Sequence, residues 1–123
     1  MSNDLTRRLK DAIRTVPNFP IEGVMFRDIT PVLGEPGLVS SITDQFVEDL
    51  NQLGWQPDVV VGPEARGFIF GPILADRLGC GFVPVRKPGK LPAPSRKVEY
   101  SLEYGSNSLE MHEDAILPGQ KAV

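Results

Sequence analysis

The residues best suited to binding an anion lie between Gly62 and Gly67, where the chain reads GPEARG. This stretch follows three consecutive valines and precedes a helical pattern, so we expect a strand-to-helix turn. Open α/β sheets bind ligands at the carboxyl ends of their strands, and backbone amides at a helix start can face an anion. Arg66 adds a planar cation suited to phosphate. The same pattern is equally typical of a solvated surface arginine, and that alternative stays open here.

A second candidate is a cationic run that begins at Arg86 and ends at Lys97, with no acidic residue inside it. Such a run would attract pyrophosphate or triphosphate. Charge runs more often mark a solvated surface, but four prolines between Pro84 and Pro94 restrict this segment and favour a positioned role. The five basic residues are Arg86, Lys87, Lys90, Arg96 and Lys97.

A third candidate combines aromatic rings with a carboxylate at Tyr100, Glu103 and Tyr104. A nitrogen heterocycle needs a stacking surface and a proton acceptor, which these residue types supply. Strand alternation offers a simpler account, because it puts Glu103 on the face opposite both tyrosines and exposes it. His112 is the single histidine and has no second histidine or cysteine partner, so a metal site built on it is not expected.

The element that must position the first candidate is a strand over 58–62, whose three valines are bounded by Pro57 and Pro63. Such an uninterrupted apolar run is typical of a strand covered on both faces. Leu74, Ala75 and Leu78 predict a helix that ends at Gly79 and holds Pro72 in its first turn. Gly81 to Arg86 predicts a second strand. A strand, a helix and a strand in this order predict a right-handed parallel crossover and an α/β sheet.

Helical spacing also appears on the amino-terminal side of these strands. Leu5, Leu9, Ala12 and Ile13 form one apolar stripe, which predicts a helix capped by Asn3 or Asp4. After a loop, Val24 to Ile29 reads as a short extended piece. A long helix is predicted from Pro36 to Leu53. Gly54 follows it, at the position where a residue in the left-handed backbone conformation commonly ends a helix.

Two further predictions concern the carboxyl-terminal part. Val98 to Tyr104 and Leu109 to His112 predict a hairpin whose turn is Gly105, Ser106 and Asn107. Pro118 and Gly119 predict a turn, after which Gln120 to Val123 begin another strand.

Composition narrows the classes of function. The chain has 123 residues, a net charge of −3 and a pI near 5.1, so we expect neither nucleic acid nor a membrane as a partner. The longest apolar stretch is interrupted by Gly71 and Pro72 and is too short for a bilayer. Cys80 is the only cysteine, which excludes an internal disulfide and favours a reducing, cytoplasmic location.

Four motifs stand in one order along the chain: MFRDIT at 25–30, EARGF at 64–68, VRKPGKLP at 85–92 and YSLEYG at 100–105. Together they resemble the adenine phosphoribosyltransferase family. The resemblance implies an α/β fold of the type I phosphoribosyltransferase kind, with a parallel sheet, flanking helices and a small amino-terminal hood. It implies a hood over about residues 1–35 and a core over about 36–123.

The resemblance also implies an activity. Adenine N9 would displace pyrophosphate from phosphoribosyl pyrophosphate through an oxocarbenium-like transition state, with Mg²⁺ bound to that donor, in a homodimer. Glu103 would relay the proton at adenine N7, and Tyr104 would close over the site. The resemblance also implies that Met25, Phe26 and Arg27 contact adenine. Pyrophosphate would be bound by Glu64, Ala65 and Arg66, with a cis Glu64–Ala65 peptide. The leaving group would be held by Arg86 and Lys90, which would reach into the neighbouring subunit.

In the family, the strand begun by Lys121 to Val123 continues into paired aspartates and a loop rich in glycine and threonine. That segment binds the ribose hydroxyls and the 5-phosphate, and this sequence does not include it. We therefore expect a carboxyl-terminally truncated chain with an incomplete sheet and donor site. The alternatives are a purine-binding or dimerising module without catalysis and a general anion-binding surface.

Overall fold

The computed structural model describes residues 1–102 and 105–123 and divides the chain into two compact units, Met1–Glu48 and Asp49–Val123. The architecture is mixed α/β, with parallel strand pairing and flanking helices, as the sequence predicts. Among the described residues, no helix combines the length and the apolar character that crossing a membrane would require.

The core of the first unit forms around helix α1, Asn3–Ala12. The predicted stripe of α1 does face inward, because Leu5 is buried and Leu9 and Ala12 pack against the same cluster. The predicted cap is wrong: the hydroxyl of Ser2 accepts the Leu5 N–H at 3.2 Å, since Ser2 has the extended backbone that an N-cap needs. The cluster consists of Leu5, Val32 and Leu38, with Leu9, Ala12, Ile13, Ile29 and Ile42 packed around it.

Two short strands follow α1. Strand β1, Arg14–Pro17, pairs antiparallel with β2, Met25–Asp28, in a register that puts Val16 opposite Phe26. The extended piece predicted over Val24 to Ile29 is therefore β2. The sequence did not predict β1 or the one-turn helix α2, Thr30–Gly34, because elements of four or five residues are too short to display a period.

The long helix predicted from the 36–53 pattern is α3, Leu38–Gln52. Thr43 is almost fully buried on it, and its hydroxyl donates to the Val39 carbonyl at 2.9 Å. Gly54 has a φ of +63°, which is the left-handed residue expected after the helix end.

The second unit is organised by two parallel strands and the helix between them. Strand β3, Val59–Pro63, and strand β4, Gly81–Val85, pair in parallel, so the predicted parallel connection through a helix is confirmed. Helix α4, Gly67–Leu78, packs on both strands and ends at Gly79 with a φ of +71°. Pro72 lies inside α4 rather than in its first turn.

Close backbone packing explains why α4 begins so early in the chain. A Cβ at Gly62 would lie 2.6 Å from the Gly67 carbonyl oxygen, and a Cβ at Gly67 would lie 2.7 Å from the Gly62 carbonyl carbon. A Cβ at Gly71 would collide with the ring of Phe82. Three glycines thus let α4 lie directly on β3 and β4, and this packing outweighs the preference of Pro72 for a first turn.

The remaining strands form an antiparallel ribbon, β5, Ser95–Leu102, and β6, Gly105–His112. The hairpin is confirmed, but its predicted turn is wrong, because Gly105, Ser106 and Asn107 belong to β6 and pair with Leu102, Ser101 and Tyr100. The pairing extends farther than the turn chemistry of those residues indicates.

The last residues of the chain pair with β3, which confirms the predicted strand start. Val59 and Ala122 form a parallel bridge, and the Val61 N–H donates to the Val123 carbonyl at 2.7 Å. β3 is therefore flanked on one side by β4 and on the other by Lys121 to Val123.

Candidate anion-binding site

The turn between β3 and α4 lies at the carboxyl end of β3, as the sequence predicts. Arg66 is exposed and has helical backbone angles immediately before α4 begins. The Glu64–Ala65 peptide is cis, in agreement with what the resemblance implies. The turn therefore presents an arginine and the first amides of a helix at the edge of the sheet where ligands bind.

The side chain of Glu64 brings the turn and the cationic run together. Its carboxylate accepts the Lys90 ammonium at 2.9 Å, the Lys87 backbone N–H at 2.9 Å and the Arg86 Nε at 3.3 Å. The Glu64 side chain is only 12% exposed, whereas that of Lys90 is 46% exposed. The predicted donor-binding residues Glu64, Ala65, Arg66, Arg86 and Lys90 thus belong to one neighbourhood.

Arg86 has further contacts that fix its position. Its guanidinium carbon lies 5.7 Å from the centroid of the Phe68 ring, a cation–π distance. Its backbone exchanges two hydrogen bonds with Glu110 of β6, at 2.9 and 2.8 Å. The first residue after β4 is therefore attached to the ribbon by its backbone and to the turn by its side chain.

These contacts shift the ionisation of Glu64. The hydrogen bond from Lys90, together with the Lys87 amide and the charges of Lys90 and Arg86, lowers the pKa of Glu64 to about 2. The carboxylate is therefore charged at neutral pH and offsets one of the two cations it contacts.

The predicted adenine-binding residues lie on β2 in the first unit. Met25 and Arg27 are exposed, whereas Phe26 is half-buried and contacts Phe19 edge-to-face, with ring centroids 5.2 Å apart. The Arg27 guanidinium donates to the Thr15 hydroxyl on β1. Phe19 and Phe26 line an apolar cavity of about 250 Å³ together with Val16 and Asp28.

Asp28 connects β2 to the start of α2. Its carboxylate accepts the Thr30 backbone N–H at 2.8 Å and the Arg14 guanidinium at 2.5 Å. Hydrogen bonds from Thr30 first, and then from Arg14, lower the pKa of Asp28 to about 2. This carboxylate stabilises the end of β2 beside the predicted adenine contacts.

The other two predicted site residues, Glu103 and Tyr104, lie outside the described residues. Their predicted roles stay predictions. Of the candidates on the ribbon, Tyr100 is exposed on β5. Within 1–102 and 105–123, no three His, Cys, Asp or Glu side chains cluster closely enough to hold a metal ion.

A family model for the phosphoribosyl transferase domain matches residues 34–123. The chain belongs to this family. Similar relatives include the adenine phosphoribosyltransferases of Francisella philomiragia, 53% identical over 115 residues, and Gloeobacter violaceus, 59% identical over 108 residues. These alignments cover 94% and 88% of this chain, but only 66% and 62% of the relatives. The chain therefore spans slightly less than two thirds of the length of these curated relatives.

Solved structures of the phosphoribosyltransferase family agree with the fold. The Saccharomyces cerevisiae adenine phosphoribosyltransferase, complexed with an imino-altritol bisphosphate and adenine, matches with a TM-score of 0.92 and 43% identity. The match covers 98% of this chain and 70% of that one. The Thermoanaerobacter pseudethanolicus enzyme matches with a TM-score of 0.88 and 50% identity, covering 94% and 66% of the two chains.

Sequence reasoning missed two features of this site. The ion pairs of Glu64 join residues 22 and 26 positions apart, and no local period indicates such a contact. The Phe68 ring beneath Arg86 was visible only as part of a motif. One signal in the sequence could have suggested the ion pairs of Glu64. The cationic run from Arg86 to Lys97 contains no acidic residue of its own, and Glu64 is an acidic residue in the nearby turn.

Proposed function

We propose that this chain carries the adenine- and diphosphate-binding part of an adenine phosphoribosyltransferase. The reaction would join adenine to phosphoribosyl pyrophosphate and release AMP and pyrophosphate. The N9–C1′ bond forms, the bond from C1′ to the pyrophosphate oxygen breaks, and the imidazole ring of adenine loses one proton. The observation that carries the proposal is that Arg86 and Lys90 contact Glu64 in the turn that also contains Arg66, in a chain of this family.

The charge balance of this cluster supports an anionic ligand. Arg86 and Lys90 contribute two positive charges beside Glu64, which offsets one of them, and Arg66 belongs to the same turn as Glu64. A leaving pyrophosphate gains negative charge as its bond to C1′ breaks, and fixed cations stabilise that charge without reorganising. Arg66 would bind it at the start of α4, while Arg86 and Lys90 would bind it from the loop after β4.

The edge of β2 supports recognition of a purine. Pro17 has no N–H, so the Pro17–Met25 pair cannot exchange two hydrogen bonds. The alternation of an antiparallel pair then favours Met25 and Arg27 as the positions whose peptide groups face away from β1. Those peptide groups would bind the polar edge of adenine, and Phe26 would pack on its ring.

Two parts of the mechanism rest on the family resemblance alone. Glu103 would accept or return the proton at adenine N7, and Tyr104 would cover the site. Magnesium would arrive bound to the diphosphate of the donor and would offset its charge. Following the family resemblance, we assign that ion to the substrate rather than to side chains of the protein.

We further propose a homodimer in the cytoplasm. A chain with one cysteine is suited to a reducing compartment. Sedimentation equilibrium tests the dimer, since it should give twice the 13.5 kDa of the chain. A mass of 13.5 kDa at all concentrations would contradict it.

An assay for AMP tests the proposed activity. Adenine, phosphoribosyl pyrophosphate and Mg²⁺ would be supplied to this chain and to a version extended with the carboxyl-terminal segment of the Gloeobacter violaceus relative. We expect the extended version to form AMP. If it forms none while folding normally, the proposed activity is wrong. If this chain binds adenine but does not bind phosphoribosyl pyrophosphate, the alternative of a purine-binding module is favoured.

A substitution links that activity to the turn. In the extended version, Arg66→Ala should reduce AMP formation about tenfold to a hundredfold, the loss typical of a hydrogen bond to a charged group. Arg7→Ala is the matched control, because it also removes one exposed guanidinium but lies on α1, where Arg7 pairs with Asp4. Equal effects of the two substitutions would contradict the role of Arg66.

A further inference from the structure

We infer that the Glu64 carboxylate is a positioning residue, which holds Lys90 and Arg86 beside the Arg66 turn so that all three cations face one diphosphate. The inference rests on the proposed function and deepens it, because it assigns a role to a side chain that bears the same charge sign as the ligand. A carboxylate within an anion site would otherwise weaken binding by repulsion.

The first step of the argument is where Glu64 makes its contacts. One oxygen accepts the Lys87 backbone N–H at 2.9 Å and the Arg86 Nε at 3.3 Å, and the other accepts Lys90 at 2.9 Å. Because Glu64 contacts three positions of one loop, it restricts the backbone of that loop as well as a side chain, which a single ion pair would not do.

The second step is that, within the part of the chain that the structure describes, Glu64 is the hydrogen-bond and ion-pair partner of Lys90. Its side chain is 46% exposed, and its one contact among the hydrogen bonds and ion pairs described above is with Glu64. Its neighbours Pro88 and Gly89 lie in an exposed loop, where Gly89 has a φ of +80°. A lysine stem has several rotatable bonds, so an unanchored ammonium would spread over many positions. Fixing it before the ligand arrives removes that entropic cost from binding.

The third step is that the contacts leave donors for a ligand. Lys90 has three N–H donors and its bond to Glu64 uses one of them. Arg86 contacts Glu64 through Nε, which is one of its five donors. Glu64 therefore orients both cations without consuming their capacity to bind phosphate oxygens.

Binding of inorganic pyrophosphate, measured by calorimetry with the 123-residue chain and Mg²⁺, tests the inference. We expect Glu64→Gln to weaken binding about threefold to tenfold, which corresponds to ordering one flexible side chain on binding. Glu64→Asp keeps the charge but shortens the reach, and it should weaken binding as well. Glu99→Gln is the matched control, since it removes a carboxylate that contacts Lys97 on the exposed ribbon.

If Glu64 acts through Lys90, the effect of Glu64→Gln should largely disappear in a Lys90→Ala background, whereas a merely structural role would give the same loss in both backgrounds. Tighter or unchanged binding by Glu64→Gln would overturn the inference, as would wild-type affinity in Glu64→Asp. Should Glu64→Gln fail to fold, Glu64→Asp still decides. Absence of pyrophosphate binding by the unsubstituted chain would instead reject the diphosphate site of the proposed function, and the inference with it.

Discussion

The layer formed by β3, α4 and β4 and the ribbon formed by β5 and β6 belong to one compact unit but differ in how far their apolar side chains are buried. In the layer, Val60 and Leu74 retain 3% and 7% of their exposure. In strand β5 of the ribbon, Val98 and Leu102 retain 68% and 48%. The layer is stabilised by buried apolar surface, whereas β5 depends mainly on backbone pairing with β6, which is marginal for two strands alone.

This difference matters for the site because its parts are divided between the two regions. The Arg66 turn connects β3 to α4 of the layer, and Glu64 directly follows β3. Tyr100 lies on the ribbon, and the predicted residues Glu103 and Tyr104 fall between β5 and β6 in the sequence. The layer thus carries the residues predicted to bind the diphosphate, whereas Tyr100, a candidate for contact with the base, lies on the exposed strand β5.

Truncating one leucine in each region should give the largest contrast. Leu74→Ala creates a cavity in the layer and should lower the free energy of unfolding by about 2–5 kcal/mol. Leu102→Ala, at a half-exposed ribbon position, should lower it by no more than about 0.5 kcal/mol. Urea unfolding followed by circular dichroism measures both values. Equal losses would mean that the ribbon contributes to the core as much as the layer does.

Amide hydrogen exchange should separate the same regions without any substitution. Amides of β3 open only when the layer unfolds, whereas amides of β5 can open locally, so we expect roughly a hundredfold slower exchange in β3. Exchange followed by nuclear magnetic resonance gives both rates. Similar protection in the two strands would show that ribbon and layer unfold together.

The glycine contacts allow a sharper test of the layer. Gly62→Ala would force a Cβ to within 2.6 Å of the Gly67 carbonyl oxygen, and we expect a loss of about 1–3 kcal/mol in the free energy of unfolding. Gly81→Ala is the control in the neighbouring strand, because a Cβ there meets nothing within 4 Å. The two thermal unfolding midpoints decide the matter. A neutral Gly62→Ala would mean that α4 can shift on β3.

Much of the layer could be predicted from the sequence, and the reasons are physical. The valine run and the spacing of Leu74, Ala75 and Leu78 report burial directly, so the parallel crossover followed from them. Pro72 was harder to interpret, because its place inside α4 depends on Gly62 and Gly71, which meet other parts of the chain only in three dimensions.

The site could be predicted only in outline. The Arg66 turn and the cationic run were recognisable as local patterns and as family motifs. The Glu64 network was not, since its partners are distant in sequence and its carboxylate gives no sign of where it points. The predicted ribbon turn is wrong for a related reason: Gly105, Ser106 and Asn107 have turn chemistry, yet cross-strand pairing incorporates them into β6.

The charge of Glu64 should change the molecule least, and it does so where the layer meets the cationic loop. The pKa of Glu64 is lowered from an ordinary 4.5 to about 2, first by the hydrogen bond from Lys90. Because the folded-state pKa is the lower one, the stabilisation by this carboxylate is complete above about pH 4.5 and is lost as the pH falls toward about 2. Carbon-detected titration of the side-chain carboxyl should therefore show no protonation of Glu64 between roughly pH 6 and pH 4. Lys90→Ala should raise the pKa of Glu64, because it removes the largest cause of the shift. If Glu64 titrates at its ordinary pKa in the unsubstituted chain, the loop after β4 does not contact Glu64 in solution. The ordered part of the layer would then end at Val85.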